Sequence, residues 1–83
     1  METSSVNRQH TIDEAVAHNL ERYFRDLEGE DASAVYDMVI LAVEKPMLAI
    51  VMKQARGNQC RASEILGINR NTLRKKLTQH GLI

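Results

Sequence analysis

Eighty-three residues, one cysteine and a formal net charge of zero bound a single small domain or subunit. Such a chain has no disulfide framework and buries too little core to be secure without a partner. The uninterrupted apolar run Met38 to Val43, as long as any in the chain, is far too short to cross a bilayer, and the polar start METSSVNRQH lacks the pattern of a secretion signal. With Cys60 unpaired, these features lead to the expectation of a reducing cytoplasm. The zero net charge conceals a split. Residues 1–44 hold three arginines against ten acidic groups, a balance of −7, whereas residues 45–83 hold eight Lys or Arg against Glu64 alone, a balance of +7. A polyanion would meet the second half and be repelled by the first.

Residues 1–10 are polar and aperiodic, which reads as a mobile arm. Thr11-Ile12-Asp13-Glu14 is a capping box, in which the Thr side chain caps an amide while Glu14 reaches back. The helix it opens runs to about Leu27, with Ile12, Val16, Leu20, Tyr23, Phe24 and Leu27 on one stripe. Glu28-Gly29-Glu30-Asp31 is a loop with Gly29 as terminator.

Asp31 or Ser33 caps the next segment, Ala34 to Ala55. Val35, Met38, Val39, Ala42, Val43, Met47, Ile50 and Val51 form its main stripe, and Tyr36, Ile40, Leu41, Leu48 and Met52 lie off it. A helix apolar over most of its circumference is covered from more than one side. The first helix covers one side; a second copy of the chain is the simplest cover for the rest. Pro46 removes a backbone donor inside this pattern. Because the stripe continues in phase, one kinked helix is favoured over two helices broken near Glu44-Lys45-Pro46. Met38, Met47 and Met52 read as core filling.

From Gln59 to Leu66 the apolar residues Ala62, Ile65 and Leu66 again share a stripe, Gly67 supplies a left-handed stop, and Ile68 follows as an apolar plug. Asn69 is the N-cap of a last helix with Leu73 and Leu77 inward and Gly81 at its end. Helix, glycine turn, helix is the outline of a helix-turn-helix. With the leucines inward, Arg70, Asn71 and Arg74 share an outward face flanked by Thr72, Lys75 and Lys76. Arg suits guanine edges, Asn adenine edges, and Lys and Thr phosphates. The N-terminal residues of a recognition helix lie nearest the bases.

These residues carry a resemblance. Gly57-Asn58-Gln59, Arg61-Ala62, Leu66-Gly67-Ile68-Asn69-Arg70, Thr72 to Leu77 and Gly81 resemble the factor for inversion stimulation (Fis) family. Tyr23-Phe24, Leu27, Gly29, Val35-Tyr36, Val43-Glu44, Pro46, Leu48 and Val51-Met52 extend the likeness over roughly residues 11–83. The C-terminal motif alone is also similar to the output domains of nitrogen-regulation-type activators. The resemblance implies an all-α chain. Residues 11–55 would supply two core helices, the second long and Pro-kinked, that form an intertwined homodimer, and residues 56–83 the helix-turn-helix, in one compact domain overall. It further implies a nucleoid-associated regulator of the bacterial cytoplasm that binds and bends double-stranded DNA. Recognition helices closer together than one DNA turn would demand that the duplex curve or its minor groove narrow.

Residue by residue, the resemblance assigns base contacts to Asn69, Arg70 and Arg74. It assigns phosphate contacts to Arg56, Asn58, Cys60, Arg61, Thr72, Lys75 and Lys76. Cys60 stands where the family often has Thr, and a thiol is a weaker donor; Asn71 stands where Gly is familiar. RNA polymerase and a recombinase are the further partners implied, although the short arm gives recombinase activation no support.

No nucleophile motif, phosphate-cradling loop or cofactor fingerprint occurs, so neither an enzyme nor a cofactor is expected. His10, His18, His80 and Cys60 have no ligand spacing, so no metal is expected. Cys60 reads as an inert, buried or half-buried thiol. The alternatives to a DNA-bending regulator are a protein-protein module and the output module of a larger activator. Met1 and the lack of an upstream linker lead to the expectation of a free-standing protein.

Overall fold

The computed structural model describes residues 11–83, so the expected arm at 1–10 lies outside the described residues. These residues form four helices, α1 (Ile12–Asp26), α2 (Val35–Gln54), α3 (Gln59–Leu66) and α4 (Arg70–Gln79), with no strand among them. The chain divides into two compact units, one ending at Val35 and the other Tyr36–Ile83.

In the first unit, the capping box forms as expected. Glu14 N–H donates to Thr11 Oγ1 at 3.3 Å and Thr11 N–H donates to Glu14 Oε1 at 3.1 Å. Asp13, in the same turn, has its carboxyl held below the ordinary range by the Thr11 side chain and then by the Glu14 amide. Tyr23 and Phe24 meet edge to face, with ring centroids 5.4 Å apart. No residue of α1 is buried; Val16, Leu20, Tyr23 and Leu27 are half-covered, while Ile12 and Phe24 are exposed. The helix ends at Asp26 with Leu27 as its C-cap, at the expected place. Glu28 already takes a left-handed φ of 53°, ahead of Gly29 at 89°.

The start of α2 departs from expectation. Ala34, the residue before it, has φ 54°, outside the extended backbone of an N-cap, and neither Asp31 nor Ser33 caps the helix among the described residues. Pro46 does not divide α2, which is continuous over 20 residues. Both Pro46 and Ala42, whose carbonyl the missing N–H would have met, face solvent. Water can therefore satisfy the freed carbonyl.

The core of the second unit is Leu48, Ala55, Ala62, Leu73 and Leu77, with Val51, Met52, Leu66, Ile68 and Leu82 packed against it. Leu48, Leu73 and Leu77 are 0% exposed, and each such burial contributes about 1.5–3 kcal/mol. Of the main stripe of α2, Val51 reaches this core. Leu48 and Met52, placed off the main stripe, join the core, whereas Met38, Met47 and Ile50 of that stripe are exposed. Only Met52 of the three methionines fills the core. Tyr36 (75% exposed), Met47 (41%) and Ile50 (59%) share a face at helical spacing and leave it apolar and open in the single chain.

Candidate nucleic-acid interface

The helix-turn-helix is set by four local devices. Asn58 stands in extended backbone and its Oδ1 accepts from Arg61 N–H at 3.1 Å, starting α3. Gly67, at φ 75° and ψ 28°, ends it, and the Gly67 and Ile68 amides both return to Ser63 C=O, at 2.8 and 3.1 Å. Ile68 then packs into the core, as its place after the glycine suggested. Asn69 Oδ1 accepts from Asn71 N–H at 2.7 Å and starts α4. At the far end, Leu82 N–H reaches Leu77 C=O at 2.8 Å past the left-handed Gly81.

With Leu73 and Leu77 buried, the opposite face of α4 is fixed in register. Arg70, Asn71, Thr72, Arg74 and Lys75 are all exposed. Arg70, Asn71 and Arg74 line one side of an open groove of about 470 Å³ whose other side is Gly57, Asn58, Gln59 and Cys60, at the start of α3. Two kinds of donor converge there. The guanidinium groups come from α4. The Gln59 and Cys60 amides, in the first turn of α3, have no backbone partner among the described residues. No acidic residue lines the groove, and helix N-termini favour anions.

The groove brings together Asn58, Cys60, Arg70 and Arg74 of the residues singled out in the sequence. Asn58 and Asn69 spend their oxygens on caps, which fixes the carboxamides and leaves each Nδ2 as a donor. Cys60 is exposed, neither buried nor half-buried, and its Sγ accepts from Arg70 Nη1 at 3.1 Å. The thiol thus touches a residue assigned to bases. Arg61 is exposed and loosely paired with Glu64 at 3.6 Å, a surface contact worth little. Arg56 sits just before Gly57 in a left-handed conformation, φ 55°.

Lys76 stands apart. It is half-buried, and its Nζ donates to Glu44 Oε2 at 2.6 Å, while Glu44 Oε1 lies 3.0 Å from His80 Nε2. Sequence reasoning missed Glu44 and His80, since the three residues are 32 and 36 positions apart and have no local signature. Among the described residues, no group of three His, Cys, Asp or Glu side chains could hold a metal ion, and no helix is long and apolar enough to cross a membrane.

Residues 41–80 match the profile of a family described as bacterial regulatory proteins of the Fis family. A protein of Neisseria meningitidis serogroup A, described as Fis-like and DNA-binding, is 58% identical over 72 residues, covering 87% of this chain and 91% of the relative. The DNA-binding protein Fis of Actinobacillus succinogenes is 52% identical over 69 residues, 83% of this chain and 70% of its own. That of Proteus mirabilis is 45% identical over 74 residues, 89% and 76% respectively.

Proposed function

The chain belongs to the Fis family of bacterial regulatory proteins, and from that premise we propose that it binds duplex DNA as a homodimer, bends it, and regulates transcription as part of the bacterial nucleoid. The observation that carries this reading is the groove between α3 and α4. Its arginines, asparagines and open amides match an acceptor-rich groove edge and its phosphates, and no carboxylate opposes them. Asn69, Arg70 and Arg74 read bases from the start of α4. Arg56, Asn58, Cys60, Arg61, Thr72 and Lys75 surround them on the phosphate side, with Cys60 contributing mainly through Arg70. The open apolar face of α2 supports pairing with a second copy, which would withdraw Tyr36, Met47 and Ile50 from water. Bending is what the resemblance implies, and only residues 55–58 separate α2 from the helix-turn-helix.

The test is binding of the purified chain to a short duplex across salt, with circularly permuted bend probes and a mass measurement alongside. A dimer holding roughly six to ten phosphates should lose several decades of affinity between low and moderate salt. Bend probes should migrate according to site position. Tight binding without that dependence removes bending and leaves a plain operator-reading regulator. No binding at low salt removes the DNA reading in favour of a protein partner.

A further inference from the structure

The basic residues of α4 are not equivalent. Lys75 is exposed with no partner among the described residues, whereas its neighbour Lys76 has its charge engaged. Lys76 donates to one oxygen of Glu44 and His80 meets the other, at 2.6 and 3.0 Å. The Glu44 side chain retains 13% exposure, that of His80 6% and that of Lys76 33%. A carboxylate drawn this far from water depends on its donors. Removing one leaves an underpaired charge, which costs more than an ordinary surface contact returns. The Lys76 hydrogen bond first, and the His80 bond second, hold the Glu44 carboxyl below the ordinary range. Glu44 lies on α2, which floors the core, while Lys76 and His80 belong to the last turn and C-cap of α4.

We propose that Glu44, Lys76 and His80 form a latch that positions the recognition helix on α2, and that Lys76 serves this latch instead of holding a DNA phosphate. The inference rests on the DNA-binding reading and assigns two neighbouring lysines opposite tasks. The N-terminal half of α4 stays open to the duplex. Its C-terminal end is pinned to the same helix that carries the open apolar face. Glu44 and His80 are therefore positioning residues, acting on DNA only through the attitude of α4.

The experiment compares the full chain with Lys75→Met, Lys76→Met, Lys76→Arg, Glu44→Gln and the double variant Lys76→Met/Glu44→Gln. It reads thermal midpoint and the salt slope of binding to a short duplex. Lys75→Met should make the slope shallower by roughly 0.9 per subunit and leave the midpoint in place. Lys76→Met should leave the slope in place and lower the midpoint by several degrees, with Lys76→Arg recovering part of the loss. Glu44→Gln should lower the midpoint too, and the double variant should fall less than the two single losses combined, as coupled groups do. A Lys76→Met slope as shallow as that of Lys75→Met would overturn the proposal, as would additive midpoint losses. If the unaltered chain shows no salt-dependent binding, the DNA reading fails on its own, while the midpoint coupling still decides whether the latch exists.

Discussion

Helix α1 and the helix-turn-helix begin in the same way and end in different physical states. Each of α1, α3 and α4 has a side-chain cap at its start, and α1 has the fuller one, a reciprocal capping box. Yet α1 buries no residue, whereas α3 and α4 bury Ala62, Leu73 and Leu77. A cap decides where a helix begins; it does not decide what the helix holds on to. The apolar stripe of α1 has the period of a packed face without the burial of one, which is consistent with the pairing proposed above.

The largest effect expected on this contrast comes from truncating the two stripes. Leu73→Ala should cost about 2–5 kcal/mol in chemical unfolding, at any protein concentration. If a second copy covers α1, as proposed, Leu20→Ala should destabilise in a concentration-dependent manner; a concentration-independent loss as large as that of Leu73→Ala would break the comparison. Next in size, Arg70→Ala or Arg74→Ala should weaken binding to a preferred duplex by about 1–3 kcal/mol and flatten the ranking among sequences, without moving stability. Equal losses on every duplex would make these arginines phosphate clamps.

Loss of a cap sharpens the contrast at about 1 kcal/mol. Asn58→Ala should lower the global unfolding midpoint, because α3 is part of the core. Thr11→Ala should mainly fray the start of α1, read by helix content and hydrogen exchange. Of similar size and opposite sign, Arg56→Gly relieves a left-handed residue and should stabilise by about 1 kcal/mol, while weakening binding to all duplexes alike if Arg56 meets a phosphate.

The smallest effect is a pH response confined to the second unit. The Lys76 and His80 contacts depress the Glu44 pKa below its ordinary 4.5. Its contribution is therefore complete above that value and is lost as pH falls through the folded-state pKa. Thermal midpoints of the unaltered chain should fall on acidification through this window, and Glu44→Gln should lack that component of the fall. An identical acid profile in the variant would remove Glu44 as its source.

Much of the architecture could be read from the chain because its devices are local. Thr11 with Glu14, Gly67 with Ile68, Asn69 and Gly81 each act within a few residues, and each does what its type and place suggest. The outward face of α4 followed from Leu73 and Leu77 for the same reason. The buried face of α2 did not. A helix apolar all round carries no phase, so only its neighbours decide that Leu48, Met52 and Ala55 go inward while Met47 and Ile50 stay out. Two contacts of the candidate site were equally illegible. Cys60 meets Arg70 across ten positions and Glu44 meets Lys76 across 32, and neither pairing leaves a periodic trace.

The floor of the helix-turn-helix is also the helix with the open apolar face, and no linker separates the two roles. At 20 residues, α2 is a strut of about 30 Å, comparable with the roughly 34 Å repeat of a duplex turn. A partner gripping its open face would therefore set the span between two reading heads as a caliper does, with little hinge to absorb error. Under the proposed dimeric, DNA-binding reading, a mismatch between that span and the helical repeat would fall on the softer body, the duplex.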